Sequence, residues 1–151
     1  MSAELRRARE EDIPQIEALI TAEGLPAYGL AEYLETFFVL NEGERAVGCA
    51  GLEIYGEAAL LRSVVVAPER RGGVDGRRLV EAALAEARER SVRRVYLFTM
   101  HADGFFRRLG FREVGLDGFE EAVRASRQYE AVSQIPQLRE RVKGMALELG
   151  R

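Results

Sequence analysis

The sequence predicts a mixed α/β fold in which helices flank a largely antiparallel sheet. Apolar residues at helical spacing alternate with short β-branched runs along the whole chain. Tight glycine-containing turns join the strands of the first half, which is typical of antiparallel pairing. One strand at 60–66 instead passes through an arginine- and glycine-rich loop into a long helix and then a further strand ending at 99. We expect these two strands to be parallel and adjacent, joined by a right-handed crossover.

The first half combines short helices with a hairpin. Apolar residues recur every three or four positions from Asp12, and Gly24 suits the position after the last helical turn. The turn at 41–44 predicts a hairpin between its flanking strands. The expected elements are a strand at 5–9, helices at 12–23 and 30–35, and strands at 37–40, 46–55 and 59–66.

The second half alternates strictly between helix and strand. Its clearest helix carries one apolar stripe and an outer face on which glutamate and arginine alternate. The expected elements are helices at 77–90, 104–109 and 119–132, and strands at 92–99, 111–114 and 143–149.

Composition restricts the class of protein. With 151 residues, 47% apolar and 31% charged, the chain is predicted to form a single domain over 1–151. A net charge of −3 argues against nucleic-acid binding. No apolar run approaches a membrane span and no segment has the pattern of a signal peptide, so we expect a cytoplasmic protein without membrane contact. Cys49 and His101 are the only residues of their types, and no metal site is predicted.

The loop between the strand at 60–66 and the following helix has the pattern of an anion site. Glycines allow close backbone approach, arginines pair with phosphates in a fork geometry, and the first N–H groups of the helix point into the loop. The alternative is a solvated turn between strand and helix. The residues concerned are Arg71, Gly72, Gly73, Val74, Asp75, Gly76 and Arg77.

Three segments together resemble the GNAT superfamily of acyl-CoA-dependent N-acetyltransferases. Leu60 to Val66 followed by Ala67-Pro68 is similar to the family's fourth strand. Arg71 to Gly76 stands where the family has its pyrophosphate loop, Arg/Gln-x-x-Gly-x-Gly/Ala. The run from Ala102 to Phe111 resembles the downstream segment A-x-x-F-Y-x-x-x-G-F. Parts of the chain, such as 51–56 and 121–126, also resemble arsenic-resistance N-acetyltransferases.

The resemblance implies acetyl-CoA as co-substrate and a small-molecule amine as acceptor. The pantetheine arm is expected along Val64, Val65 and Val66, with the Val65 N–H polarising the thioester carbonyl. The loop from Arg71 to Arg77 would hold the pyrophosphate. The resemblance also implies that the parallel strands at 60–66 and 94–99 diverge at their C-terminal ends to admit the cofactor. Thr99 and Phe105 would belong to the opposite wall of the cofactor site. A homodimer is the oligomeric state that the resemblance suggests.

The groups that would transfer protons are less well defined by the sequence. Glu53 is a candidate base that takes a proton from the amine through water, and the alternative is an exposed strand glutamate. Phe106 occupies the position at which many family members have a general-acid tyrosine. Tyr96, Tyr129, Ser63 or water are the candidate substitutes, whereas His101 is more simply a solvated loop residue.

Two residues of the loop depart from the family pattern. Val74 replaces a glycine, and a β-branched residue resists positive φ. Asp75 stands where an apolar residue is usual. It is expected to be the N-cap of the following helix and to compete with a pyrophosphate for the same N–H donors. These departures, with Phe106, favour the alternative to an active enzyme, a GNAT-fold binding or interaction module with weak or no turnover.

Overall fold

The computed structural model describes residues 3–150, and these contain seven strands and five α-helices. The strands are β1 (Glu4–Arg7), β2 (Phe37–Glu42), β3 (Arg45–Tyr55), β4 (Ala58–Val66), β5 (Arg94–Thr99), β6 (Arg112–Val114) and β7 (Lys143–Glu148). The helices are α1 (Ile13–Ala22), α2 (Asp75–Glu89), α3 (Asp103–Arg108), α4 (Arg127–Gln134) and α5 (Pro136–Arg141). Short 3₁₀ turns lie at Glu10–Asp12, Leu34–Thr36, Pro68–Arg70, Leu116–Gly118 and Glu121–Ala125.

The strands form one mixed sheet in the order β1-β2-β3-β4-β5-β7-β6. β2 is antiparallel to β1 and β3, and β7 is antiparallel to β5 and β6. β4 and β5 are parallel, with their register pairs at Ala58–Leu60 and Arg94–Tyr96, the first three residues of each strand. The predicted fold class, and the parallel adjacency of the strands on either side of α2, are therefore confirmed.

The chain forms two compact units. The first comprises the chain up to Glu53 together with Leu61–Glu86, and the second comprises Ile54–Leu60 together with the chain from Ala87 onward. The boundaries fall within β3, β4 and α2, so each of these elements contributes residues to both units.

Each unit has its own apolar core. In the first unit, the two faces of the sheet bury separate clusters, since Val65 packs with residues of α1 and β2 whereas Val64 and Val66 pack with Leu79 of α2. The alternation of side chains along a strand produces this division. In the second unit the core centres on Tyr96 and Phe119, whose rings stack at a centroid distance of 4.7 Å.

The hairpin between β2 and β3 is tighter than predicted. Its turn consists of Gly43 and Glu44, with Gly43 at a φ of +63°, a conformation that glycine adopts without strain. Farther along β3, Gly51 lies directly against the ring of Phe37, where an added Cβ would come within 2.3 Å of a ring carbon. Glycine at this position lets Phe37 lie flat against the backbone of β3.

The prediction of a second helix at 30–35 is wrong. Turns precede a 3₁₀ turn at Leu34–Thr36, and the contacts of Thr36 lead the chain from this turn directly into β2. The Thr36 hydroxyl donates to the Leu52 carbonyl of β3 at 2.6 Å and also lies 3.1 Å from the Tyr33 carbonyl, which ties the end of this turn to β3.

The helix predicted at 119–132 is interrupted. The Ser126 hydroxyl accepts the N–H of Tyr129 at 3.1 Å, which makes Ser126 the N-cap of a new helix, α4. A 3₁₀ turn precedes this cap, and helix α5, which has Pro136 as its first residue, was not predicted.

Candidate functional site

The first part of the site is the backbone of β4 at Ser63 and Val64. The Cys49 thiol of β3 donates to the Ser63 carbonyl at a distance of 3.2 Å. Because C=O and N–H of a trans peptide point in opposite directions, the Val64 N–H points away from Cys49. The Val65 backbone instead hydrogen-bonds the Cys49 thiol group. The predicted donor, Val65, is therefore directed at β3, and Val64 presents its N–H to the opposite edge.

Val66 continues the same edge. A Cβ added at Gly48 of β3 would lie 3.1 Å from the Val65 carbonyl oxygen, so this carbonyl faces β3. The Val66 N–H belongs to the same peptide and therefore points away from β3. The Val66 carbonyl accepts a hydrogen bond from Nε of Arg71 at 3.0 Å. The N–H groups of Val64 and Val66 thus form a row of two donors along one edge of β4, the arrangement that an extended ligand needs in order to add like a strand.

Cys49 behaves as a structural residue beside this edge. Its side chain is buried in the first unit. Burial raises the pKa of the Cys49 thiol to about 12, against smaller lowering effects from the Val65 backbone and the Arg62 charge. The thiol therefore stays protonated near neutral pH and serves as a hydrogen-bond donor to Ser63.

A buried ion pair lies next to this backbone. Glu53 of β3 and Arg62 of β4 approach at 2.9 Å, and both residues are less than 5% exposed. The alternative of an exposed strand glutamate is therefore wrong. Glu53 is the counter-ion of an arginine that the sequence analysis missed. One signal was available, since Arg62 is a charged residue within the apolar run of β4.

Arg62 is held on several sides. Its guanidinium stacks over the ring of Tyr28 at 4.4 Å and lies 5.4 Å from the ring of Phe37. Its Nε donates to the Ser63 hydroxyl at 3.0 Å, and its Nη2 donates to the Pro26 carbonyl at 3.4 Å. The charge is thus compensated by Glu53, and the side chain links β4 to the loop that follows α1.

The glycine-rich loop is open at its centre. In this loop Gly72 has a positive φ, +83°, and Val74 does not. A side chain at Gly72 would meet no atom within 4 Å, and one at Gly73 would approach only the Arg70 carbonyl at 3.8 Å. Val74 is 66% exposed. The expected backbone strain at Val74 is therefore absent, and the loop has room for a ligand.

Asp75 also departs from its predicted role as N-cap. It is the first residue of α2, and the Val74 carbonyl accepts the first helical hydrogen bond, from Arg78 N–H at 3.0 Å. The carboxylate of Asp75 is buried and contacts Nε of Arg70 at 2.6 Å and Nη1 of Arg78 at 3.5 Å. Two guanidinium groups thus oppose the negative charge that the sequence analysis expected to repel a phosphate.

The two arginines at the ends of the loop make exchangeable surface contacts. Arg71 binds Glu23 at 2.5 Å and Arg77 binds Glu81 at 2.9 Å, and both arginine side chains are about half exposed or more. Surface pairs of this kind contribute about 1 kcal/mol or less. Both guanidinium groups can therefore exchange their partner for an anion. Gly76 lies between Asp75 and Arg77 in the first turn of α2.

The remaining predicted residues, Thr99 and Phe105, belong to the second compact unit. Thr99 ends β5, and its hydroxyl accepts the N–H of Ala102 at 3.0 Å. Phe105 lies in α3 and packs edge-to-face on Phe106 with a centroid distance of 5.0 Å.

The two tyrosines among the candidate substitutes for the missing general acid are engaged within the second unit, and the Ser63 hydroxyl is bound by Arg62 in the first unit. Burial raises the pKa of Tyr96, and its hydroxyl hydrogen-bonds Glu120 at 3.1 Å. The hydroxyl of Tyr129 donates to the Leu116 carbonyl at 3.0 Å. Both phenols thus have structural partners, and His101 is exposed.

Within residues 3–150, no group of three or more histidine, cysteine or acidic side chains is arranged to hold a metal ion. The helices of this part of the chain are also too short or too polar to cross a bilayer.

Comparison with known proteins identifies the family. Residues 34–113, more than half of the chain, match the model of the acetyltransferase (GNAT) domain. An amino-acid acetyltransferase from Mycobacterium tuberculosis is 31% identical over 120 residues, covering 73% of this chain and 68% of that protein. The chain therefore belongs to the GNAT acetyltransferase family.

Two further relatives are longer proteins. An amino-acid acetyltransferase from Vibrio cholerae is 28% identical over 141 residues, which are 87% of this chain and 32% of that protein. The structure of N-acetylglutamate synthase from Neisseria gonorrhoeae, complexed with coenzyme A and N-acetyl-glutamate, superimposes with a TM-score of 0.83 at 22% identity. It covers all of this chain, which spans 36% of that chain. The two curated relatives named here are amino-acid acetyltransferases, and the resemblance to the arsenic-resistance subgroup stays a prediction.

The environment of Cys49 predicts its reactivity. Because the thiol is buried and its pKa is raised to about 12, the folded protein should not react with Ellman's reagent at pH 8, and the protein in guanidinium chloride should react fully. Absorbance of the released thiolate measures both states. Rapid reaction of the folded protein at pH 8 would contradict the buried placement of Cys49.

Proposed function

We propose that this protein transfers an acetyl group from acetyl-CoA to the α-amino group of an amino acid. The observation that carries the proposal is that three features follow one another along a single segment of this GNAT-family chain. The two donors at the edge of β4 lead directly into an open, arginine-flanked glycine loop and then into the N-terminus of α2. The amino-acid acceptor is supported by the names of the relatives.

The residues present fit the chemistry of CoA. Val64 and Val66 offer N–H groups of the kind that an extended pantetheine amide chain can use. The first N–H groups of α2 and the positive end of its dipole favour a pyrophosphate, with Arg71 and Arg77 supplying fork-shaped cationic donors. Gly72 and Gly73 leave space for this anion beside the backbone.

The reaction requires polarisation of one carbonyl and movement of two protons. We assign polarisation of the thioester carbonyl to the Val64 N–H, in place of the predicted Val65 N–H. The neutral amine attacks the carbonyl carbon, the C–N bond forms, the C–S bond breaks, and the thiolate leaves and takes a proton. In this proposal Glu53 accepts, through water, the proton that the ammonium form of the amine gives up before the attack. The second proton, which nitrogen loses after the C–N bond forms, passes through solvent to the leaving thiolate.

Turnover of acetyl-CoA with a panel of amines tests the function. We expect release of CoA thiol with one or more α-amino acids, and a kcat/KM at least about tenfold lower for the matching amine without the α-carboxylate. Ellman's reagent follows the thiol, and mass spectrometry identifies the acetylated product. Binding of CoA without turnover of any amine would support the non-catalytic module instead, and failure to bind CoA would overturn both.

Replacement of Arg71 tests the phosphate site. We expect Arg71→Ala to weaken CoA binding about tenfold, because a charge-assisted hydrogen bond is lost, and to change the free energy of unfolding by less than about 0.5 kcal/mol. Binding of pantetheine, which lacks the pyrophosphate, should be unchanged in isothermal titration calorimetry.

The matched control for Arg71 is Arg45→Ala. Arg45 is also a half-exposed arginine, paired with Glu69. We expect this variant to bind CoA like the wild type. Equal weakening of CoA and pantetheine by Arg71→Ala would contradict a contact with phosphate.

Replacement of Glu53 tests proton transfer. We expect Glu53→Gln to lower kcat about 100-fold near neutral pH, and the loss to shrink as pH rises through the pKa of the amine, which then needs no base. The measurement is the pH profile of kcat, together with the urea midpoint to establish that the variant is folded.

A second buried carboxylate provides the control for Glu53. Asp12 pairs with Arg6 at 2.7 Å, and this guanidinium holds the pKa of Asp12 below its usual range. Like Glu53→Gln, Asp12→Asn should lower the free energy of unfolding, but it should leave the pH profile of kcat unchanged. A loss in Glu53→Gln that does not vary with pH would remove Glu53 from proton transfer and leave it as the counter-ion of Arg62.

A further inference from the structure

The backbone conformation of Ser63 is unusual for its position. Ser63 and Ser91, at φ values of +58° and +63°, are the non-glycine residues with positive φ between residues 3 and 150. Ser91 follows α2, where helices commonly end in a left-handed residue. Ser63 instead lies inside β4, where nothing in the local sequence favours this conformation. Such a conformation persists only where surrounding contacts hold it.

Two side chains hold Ser63 from opposite ends of the residue. The Cys49 thiol donates to its carbonyl at 3.2 Å, and Nε of Arg62 donates to its hydroxyl at 3.0 Å. Arg62 is in turn fixed by Glu53 at 2.9 Å and by stacking over Tyr28. The strained residue is therefore held by a buried, charge-compensated arginine.

The conformation of Ser63 sets the direction of the next N–H. Residues 63 and 64 share one planar peptide, so the direction of the Ser63 carbonyl toward Cys49 fixes the Val64 N–H toward the opposite edge of β4. We propose that Arg62 is a positioning residue, which holds Ser63 in the left-handed conformation and thereby directs the Val64 N–H at the thioester carbonyl. The role of the Val64 N–H in this inference rests on the proposed function. The orientation of the Val64 N–H rests on the contacts of Arg62.

Arginine suits this task for a geometric reason. Its planar guanidinium donates in three directions at once, to Glu53, Ser63 and the Pro26 carbonyl. A lysine at position 62 has one terminal nitrogen, which can neutralise Glu53 but cannot also reproduce the bond from Nε to the Ser63 hydroxyl.

Substitutions at Ser63 separate the hydrogen bond from the backbone conformation while leaving Glu53 and Arg62 paired. Ser63→Ala removes the hydroxyl that Arg62 binds and keeps the penalty of a side chain at positive φ, so we expect kcat to fall about tenfold with little change in KM for acetyl-CoA. Ser63→Gly removes the same hydroxyl and also the penalty, so the loss should be less than about threefold. Equal losses in the two variants would overturn the inference.

A double substitution tests whether Arg62 acts through Ser63. Arg62→Lys keeps a cation for Glu53, and we expect its kcat to resemble that of Ser63→Ala. In the Ser63→Gly background, Arg62→Lys should cause little further loss, because glycine no longer needs the hydrogen bond. If the fold-loss of kcat in the double variant equals the product of the losses in Arg62→Lys and Ser63→Gly, then Arg62 does not act through Ser63 and the proposal is overturned.

The direction of the Val64 N–H can be followed without any substrate. In ¹⁵N-valine-labelled protein, the Val64 amide cross-peak should shift when Arg62→Lys is introduced into the wild type. The same Arg62→Lys change introduced into Ser63→Gly should leave the cross-peak close to its position in Ser63→Gly. Urea unfolding establishes that each variant is folded. An unchanged cross-peak in Arg62→Lys, or an equal shift in the two backgrounds, would contradict the role of Arg62.

The matched control is Ser91→Gly, a substitution of the same residue type at nearly the same φ but outside the site. It should change neither kcat nor the Val64 cross-peak. The two readouts also separate this inference from the proposed function. A wild-type protein without turnover fails the proposed function and still allows the cross-peak comparison, whereas an active protein with unchanged cross-peaks fails the inference alone.

Discussion

The buried ion pair of Glu53 and Arg62 is the constraint on which the rest of the candidate site depends. Moving two charges from water into a protein interior costs several kcal/mol per ion, and the attraction between them compensates only when the geometry is good and the remaining donors are satisfied. Here the guanidinium meets a carboxylate, a hydroxyl and a carbonyl, and it stacks on an aromatic ring. Removal of either partner alone would leave an unpaired buried charge, at a cost of about 3–5 kcal/mol.

The same pair connects elements that the sequence keeps apart. Glu53 lies near the end of β3, Arg62 lies in the middle of β4, and Pro26 and Tyr28 belong to the loop after α1. The absence of a Cβ at Gly51 lets Phe37 pack flat on β3, and the Phe37 ring in turn lies near the guanidinium. The Arg62 guanidinium thus fixes β3, β4 and the loop after α1 relative to one another within the first compact unit. Apolar contacts alone would fix this arrangement less specifically.

Much of the fold could be predicted from periodicity, because the helices and strands repeat their apolar residues at characteristic spacings. The strand–loop–helix segment was also recognisable, since its glycines and arginines are adjacent in sequence. The pairing of Glu53 with Arg62 was not, because it depends on the register between two strands. All residues from Ala46 to Glu53 are buried, so the alternation that marks a half-exposed strand is lost and gives no indication of which polar side chains face inward.

Two local conformations predicted for the loop, a strained Val74 and an N-cap at Asp75, are not found, for a related reason. Sequence alone gives Asp75 a charge and a preferred capping role, but its effect on an anion depends on the groups around it. The carboxylate of Asp75 is bound by Arg70, at the end of the 3₁₀ turn Pro68–Arg70, and by Arg78, three residues farther along α2. The positive φ of the loop falls on Gly72 instead of Val74. An aspartate that is neutralised in this way orders the arginines around the first turn of α2. Because Arg70 also contacts Glu42 at 2.9 Å, the charge of Asp75 lies within a network of two arginines and two carboxylates at the start of α2. The effect of Asp75 on a nearby anion therefore depends on this whole network and not on its own charge.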